Sequence, residues 1–221
     1  MYSDYAVIFD MDGVLADTGS IHYQSWVKIA KEIGKRFSKE FFKSTFGQQS
    51  VPIIRKLVGN DVDEDLVREW ADLKEKYYRE MVRNSIVPLP GVLRLLKELN
   101  DLKFKLAVGS SAPPENVDLL LSSFKIAHCF NIVITASDVK NGKPAPDVFL
   151  AASEKLKIKP SNCIVIEDAP VGIEAAKNAG MKCIALETTH PVEELVAAEL
   201  VISDLSKIRS KDIIKLFNEN K

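Results

Sequence analysis

The hydrophobic positions of this chain follow different periods in different regions. Across residues 21–83 apolar side chains recur at helical spacing, and no strand pattern interrupts them. From Val92 onward, short apolar runs alternate with helical stretches, and one further apolar run lies at residues 5–9, near the start. The pattern therefore predicts an all-helical unit inserted into a unit of alternating strands and helices.

The helical region divides at polar breaks. The longest stretch carries Leu66, Trp70 and Tyr77 on one stripe, and its remaining surface is dense in Glu, Lys and Arg, which is typical of a helix with one buried face. Four helices are predicted, at residues 20–33, 39–45, 51–58 and 63–83. We expect residues 19–85 to form a helical domain, and residues 1–18 plus 86–221 to form the other domain.

The remaining strands and helices alternate along the chain, which favours an α/β fold with a Rossmann-like, doubly wound and mostly parallel sheet. After the first strand, we predict strands at 104–108, 132–134, 163–166, 182–186 and 200–202, and helices at 92–99, 116–124, 147–156, 171–179 and 211–217. Sheets of this kind bind ligands beyond the carboxyl ends of their strands. That edge is where functional residues are expected.

Polar residues cluster at these strand ends. The first strand stops at Asp10 and Asp12, whose one-residue spacing would place both carboxylates on the same side of an extended chain. Two carboxylates held together repel each other unless a cation or a shared proton compensates. Further polar residues follow the later strands or precede a helix: Ser110 and Ser111, Lys143, and Glu167 with Asp168.

Together these residues suit phosphoryl transfer. Mg²⁺ prefers carboxylate and carbonyl oxygens, which Asp10 and Asp168 would supply with a main-chain carbonyl. Catalysis of this reaction rests on holding the phosphoryl group and neutralising its charge. Lys143 and the Ser110 hydroxyl are the groups expected to do so.

Composition excludes several other classes of protein. The net charge of -1 gives no general attraction to nucleic acid or to anionic membranes. No apolar run approaches the roughly 20 residues of a membrane helix, and the N-terminus lacks a signal-peptide pattern. The three cysteines form no CxxC pair, so neither zinc nor a disulfide framework is expected. We expect a cytoplasmic protein, and a monomer because no coiled-coil heptad is present.

Four ordered motifs give the chain a resemblance to a known family. They are Asp10-Met11-Asp12-Gly13-Val14, Ser110, Lys143 in a GKPAPD context, and Glu167-Asp168-Ala169-Pro170-Val171-Gly172. In this order they resemble the motifs of the haloacid dehalogenase superfamily, and within it those of the β-phosphoglucomutase-like sugar phosphatases. The helical insert is similar to the small cap of that superfamily, so the resemblance covers nearly the whole chain.

The resemblance implies roles for the motif residues. Asp10 would be the nucleophile that forms an aspartyl-phosphate, and Asp12 the acid and then the base. Asp10, the Asp12 carbonyl and Asp168 would hold Mg²⁺, with Glu167 assisting. Ser110, Ser111 and Lys143 would hold the phosphoryl group. Dehalogenation is set aside, because a halide needs neither a proton nor a metal to leave.

The cap residues have two interpretations. His22 and Trp26 share one helix face, and the resemblance implies substrate handling, but packing explains them equally well. Lys74 could correspond to a cap lysine of the mutase, although a solvated helix face is the preferred interpretation. Gly47 and Gln48 lie in a polar loop, where Gln48 could bond a sugar hydroxyl or could simply be a polar loop residue.

The same loop bears on the reaction. Where the mutase carries an arginine for a second phosphate, this chain has Ser50, with Arg55 one turn further on. We therefore expect a Mg²⁺-dependent phosphatase acting on a small sugar or polyol monophosphate. The alternatives are a β-phosphoglucomutase, which interconverts β-glucose 1-phosphate and glucose 6-phosphate, and a phosphate-ligand sensor without turnover.

Overall fold

The centre of the molecule is a parallel β-sheet of six strands. The computed structural model describes residues 1–82 and 86–218. The strands are β1 (Ala6–Phe9), β2 (Lys105–Gly109), β3 (Ile132–Ile134), β4 (Cys163–Glu167), β5 (Lys182–Leu186) and β6 (Leu200–Ile202). Their order is β3-β2-β1-β4-β5-β6, and all five pairings are parallel. This confirms the predicted α/β fold with a doubly wound sheet.

Helices cover both faces of the sheet, because β1 presents alternate side chains to two separate hydrophobic clusters. Val7 and Phe9 face one cluster, and Ala6 and Ile8 face the other; all four are fully buried. Six helices accompany the sheet: α5 (Val92–Asp101), α6 (Pro114–Ser123), α7 (Asp147–Leu156), α8 (Pro170–Asn178), α9 (Val192–Leu195) and α10 (Ser210–Asn218).

Between β1 and α5 the described chain is helical. The helices are α1 (Gly19–Glu32), α2 (Lys39–Thr45), α3 (Ser50–Val58) and α4 (Glu64–Val82). They enclose a third hydrophobic cluster, in which Trp26 stacks on Phe37 with ring centroids 5.2 Å apart. Arg83, the predicted end of α4, and residue 85, the predicted end of the cap, lie outside the described residues.

Most predicted elements agree with the structure to within one or two residues. The helix at 39–45, that at 147–156 and the strand at 132–134 match at both ends. The short helix α9 was not predicted, because its four residues are too few to show a period. In the described part of the chain, no helix is long and apolar enough to span a membrane.

Candidate active site

The site lies where three neighbouring strands end. Since β1 pairs with β2 on one side and β4 on the other, Asp10, Ser110 and Glu167 come together at one edge of the sheet. The Asp10 N–H donates to the Ile166 carbonyl at 2.9 Å, which holds the chain beyond β1 against β4. Asp10, Ser110 and Glu167 are each at most 6% exposed.

Lys143 joins two of these groups. Its Nζ donates to Asp10 Oδ1 at 2.6 Å and to Glu167 Oε1 at 2.7 Å, and the residue is 4% exposed. Burial would lower the pKa of Lys143, but the two carboxylates outweigh it and raise the pKa above its ordinary value. Lys143 therefore stays charged at the centre of the site.

The Glu167 carboxylate is held by the backbone of its own turn. Its Oε2 accepts the N–H groups of Asp168 at 2.7 Å and Ala169 at 2.9 Å. A Cβ at Gly172 would overlap this carboxylate, so the start of α8 approaches it at a distance that only glycine permits. The turn thus positions Glu167 toward Lys143.

Three carboxylates form a group that fits a divalent cation. Ligand atoms of Asp10, Glu167 and Asp168 lie within 4.8 Å of one another, and all three residues are buried. Thr189 donates to Asp168 Oδ2, and a Cβ at Gly13, whose φ is +79°, would overlap the Asp168 carboxylate. An all-oxygen set with one neighbouring ammonium leaves uncompensated negative charge, which is what Mg²⁺ requires.

The electrostatics of the cluster support this interpretation. Burial raises the pKa of Asp10 to about 7, with Lys143 opposing and Glu167 and Asp12 adding to the rise. Burial, followed by the charges of Glu167 and Asp10, raises the pKa of Asp168 well above its ordinary value. A bound cation would favour the ionised form of both side chains.

Asp12 lines the same cavity but has different partners. Its Oδ1 accepts the Thr18 hydroxyl at 2.5 Å and the Tyr78 hydroxyl at 3.4 Å. His22 Nε2 lies 3.1 Å from the same oxygen, close enough for an ion pair but out of line for a hydrogen bond. Burial would raise the pKa of Asp12, but His22, Thr18 and Lys74 outweigh it and lower the pKa.

His22 connects Asp12 to the helical insert. Lys74 Nζ lies 2.9 Å from His22 Nδ1, while His22 Nε2 lies on the side of Asp12. Lys74 is 2% exposed and also lies over the Trp26 ring, 4.7 Å from its centroid. The preferred interpretation of Lys74 as a solvated helix residue was wrong, because its charge is satisfied inside the protein.

Most of the predicted site residues line the cavity. Trp26 packs in the insert's hydrophobic cluster, as the packing interpretation expects, and it also lines the cavity, so a contact with substrate stays a prediction. His22 is 7% exposed rather than partly exposed. The cavity is lined by core residues Asp10, Asp12, Ser110, Ser111 and Ala112 and by insert residues that include His22, Trp26, Gly47, Gln48 and Lys74.

Comparison with known proteins shows which family the chain belongs to. The sequence pattern of the haloacid dehalogenase-like hydrolases matches residues 7–186. This span contains every residue of the strand-end cluster. The chain belongs to the haloacid dehalogenase-like hydrolase family. It is therefore an enzyme.

Individual proteins resemble the chain over most of its length. It is 31% identical to validoxylamine A 7'-phosphate phosphatase of Streptomyces hygroscopicus subsp. limoneus over 91% of this chain and 94% of that protein. It is 33% identical to an Escherichia coli fructose-1-phosphate phosphatase over 83% and 97%. A Clostridium difficile β-phosphoglucomutase superposes with a TM-score of 0.89 at 29% identity, covering 98% of each chain.

In this haloacid dehalogenase-like hydrolase, the position of the mutase's loop arginine is occupied by Ser50, and Arg55 does not replace that arginine. Its guanidinium donates to the carbonyls of Gly59 at 3.1 Å and Val62 at 2.6 Å and to Glu64 at 2.5 Å. These bonds fasten the loop between α3 and α4. Ser50 instead lines the cavity and donates to Glu75.

Several site residues have no sequence signal that would have found them. Thr18 and Tyr78 reach Asp12 only because the insert folds over the strand ends, and Thr189 reaches Asp168 from the loop after β5. Glu75 lies among many charged residues on α4, and only its burial distinguishes it. His190, to which no sequence motif points, is buried, with its Nδ1 3.2 Å from the Asp168 carbonyl oxygen.

Proposed function

We propose that this enzyme is a Mg²⁺-dependent phosphatase that hydrolyses a small sugar or polyol monophosphate through an aspartyl-phosphate on Asp10. One observation carries the proposal. A buried carboxylate, Asp10, is bound by Lys143 and belongs to a group of three carboxylates that fits a cation, while Asp12 lines the same cavity with separate partners. A nucleophile and a proton-transfer group thus occupy one enclosed space.

The two aspartates divide the reaction. An Asp10 oxygen attacks phosphorus, and the ester bond breaks as the leaving oxygen takes a proton from Asp12. Asp12 then takes a proton from water, whose oxygen attacks the phosphorus and releases phosphate from Asp10. Asp12 has a lowered pKa without substrate, and the incoming phosphate charge favours its protonated form.

The cation would be held by Asp10, Asp168 and the Asp12 carbonyl, with Glu167 nearby. When bound, Mg²⁺ would neutralise phosphate charge and stabilise the charge that develops in the transition state. Lys143 would place a permanent positive charge next to the same phosphate. Ser110 and Ser111 line the cavity next to Asp10. The Ser110 Oγ also accepts the Ala112 N–H at 3.1 Å, so the Ser110 hydroxyl hydrogen points away from Ala112.

The names of the relatives support the substrate class. One is named as a phosphatase of validoxylamine A 7'-phosphate and another as a phosphatase of fructose 1-phosphate. In this chain His22, Trp26, Gly47, Gln48 and Lys74 line the cavity and would contact the alcohol part of such a substrate. A mutase is the second candidate, because a β-phosphoglucomutase superposes over nearly the whole chain.

The test is phosphate release from a panel of sugar and polyol monophosphates with Mg²⁺, comparing wild type with Asp10→Asn. We expect release by wild type and loss of at least a thousandfold in the variant. Release that persists in Asp10→Asn excludes the covalent route. β-Glucose 1-phosphate supplied with a bisphosphate primer separates the candidates, since only a mutase converts it to glucose 6-phosphate.

A further inference from the structure

The insert side of the cavity carries a buried ion pair whose role the proposed chemistry does not explain. Lys74 Nζ donates to Glu75 Oε1 at 2.9 Å, and both side chains line the cavity. Their side chains are 2% and 10% exposed. Burying two charges is costly unless they are paired and fully hydrogen-bonded, so a bare packing role would be met better by apolar residues.

Glu75 is fastened from three directions. Besides Lys74, its carboxylate accepts the Ser50 hydroxyl from α3 and, at 2.7 Å, the Asn116 amide from α6 of the core. Burial would raise its pKa, but Lys74, His22 and Ser50 outweigh it and lower the pKa. The carboxylate is therefore ionised and fixed in direction.

This carboxylate cancels the one ammonium that the described residues place in the cavity wall. Two other cations close by are engaged elsewhere. Arg79 donates to the Asn116 side-chain oxygen at 2.8 Å, and Lys56 donates from the exposed side of α3 to Gln48 at 2.8 Å. No arginine lines the cavity among residues 1–82 and 86–218.

A second anionic group on a substrate would therefore meet no free positive charge there. It would instead approach a fixed carboxylate, and two like charges in a partly buried site repel strongly. A neutral alcohol would meet the Trp26 and Phe46 rings, the Ser50 hydroxyl and the Gln48 amide, all of which line the cavity. These groups suit a hydroxyl-bearing, uncharged leaving group.

We propose that Glu75 is a specificity-determining residue, which neutralises Lys74 and so restricts the cavity to phosphate esters whose remaining part carries no charge. Bisphosphates and phosphorylated acids are excluded by this wall. The inference rests on the proposed phosphatase function and deepens it, since the charge of the alcohol part is not determined by the Asp10 chemistry.

The experiment compares kcat/KM for fructose 1-phosphate with that for fructose 1,6-bisphosphate, and likewise for glucose 6-phosphate and glucose 1,6-bisphosphate. Wild type should favour the monophosphate at least tenfold. Glu75→Gln keeps the shape and frees the Lys74 charge, so the bisphosphate-to-monophosphate ratio should rise about tenfold or more, mainly through KM. Glu80→Gln removes the same charge from an exposed position of α4 and should leave the ratio unchanged.

A second variant covers the case in which Glu75→Gln does not fold. Ser50→Lys adds a positive charge to the same wall and should also raise the ratio. A wild-type enzyme that hydrolyses both esters equally well, or an unchanged ratio in a folded variant, overturns the inference while leaving the phosphatase intact. Absence of phosphate release from every monophosphate by wild type overturns the proposed function and the inference with it.

Discussion

At the scale of single residues, the site depends on groups whose hydrogen bonds fix the orientation of the functional side chains. Lys143 is held between Asp10 and Glu167, and Glu167 by two N–H groups of its own turn. Gly172 belongs to this arrangement because any side chain there would displace Glu167. The GKPAPD and EDAPVG motifs thus act as one unit around a single ammonium.

Asp12→Asn tests the division of labour between the two aspartates. The change removes the transferable proton and keeps the backbone carbonyl, so we expect kcat to fall about 10²- to 10⁴-fold with little change in Mg²⁺ binding. Steady-state phosphate release and Mg²⁺ titration by thermal unfolding measure the two effects. Asp17→Asn, at an exposed position just before α1, is the matched control and should retain wild-type kcat. Unchanged turnover in Asp12→Asn would contradict the role of Asp12.

At the scale of elements, the decisive feature is that β1 lies between β2 and β4. The chain after β1 runs into the helical insert, while the chain after β2 runs into α6 on the core. Side chains far apart in sequence, Asp10 and Glu167 among them, therefore end at one edge. The carboxyl ends of β1 and β4 carry three buried carboxylates beside one lysine, so the repulsion between the carboxylates is only partly compensated.

Magnesium should therefore stabilise the folded protein. A ligand present at 100 times its Kd adds about 2.7 kcal/mol, which for a chain of this size corresponds to roughly 5–10 °C in Tm. Differential scanning fluorimetry with and without Mg²⁺, in EDTA-treated protein, measures the shift. Asp168→Asn should lose most of it and Asp118→Asn, at an exposed position of α6, should keep it. An equal shift in both variants would place the cation elsewhere.

At the scale of the whole molecule, one chain supplies both sides of the cavity. In the proposed mechanism the core contributes the reacting groups, and the insert contributes the wall that the alcohol would meet. Contacts between them include Asn116 with Glu75 and Arg79, and Lys43 with Glu194 at 3.1 Å. We expect the substrate to enter between these parts, which would require these contacts to open during turnover.

We expect the protein to be a monomer in solution. The exposed large hydrophobic side chains, which include Val27, Leu66, Leu93, Leu150 and Val196, are spread over different elements. Scattered apolar residues are normal on monomers, whereas stable interfaces need a contiguous patch. Sedimentation velocity should give a species of 24.6 kDa at micromolar concentration, and a species of twice that mass would contradict the prediction.

Much of the fold could be predicted from the sequence because it depends on local pattern. Periods of apolar residues located nearly all helices and strands, and turn residues located the strand ends where the motifs lie. Asp10 and Asp12 line one cavity, as their spacing predicted. The alternation of side chains along a strand is not the reason, because β1 ends at Phe9, before both residues. The short α9 was missed because so few residues carry no period.

The sequence by itself determined the alternating architecture, the helical insert and the strand-end residues, since these follow from spacing and residue type along the chain. Only the tertiary structure decided which charges are neutralised. Lys74, Glu75 and Arg55 look alike on charged helices, yet the first two are buried together at the cavity and the third fastens a loop. Burial and pairing of charges arise from packing between elements that are distant in sequence. The electrostatic energies that select a ligand depend on the distances in space between those charges.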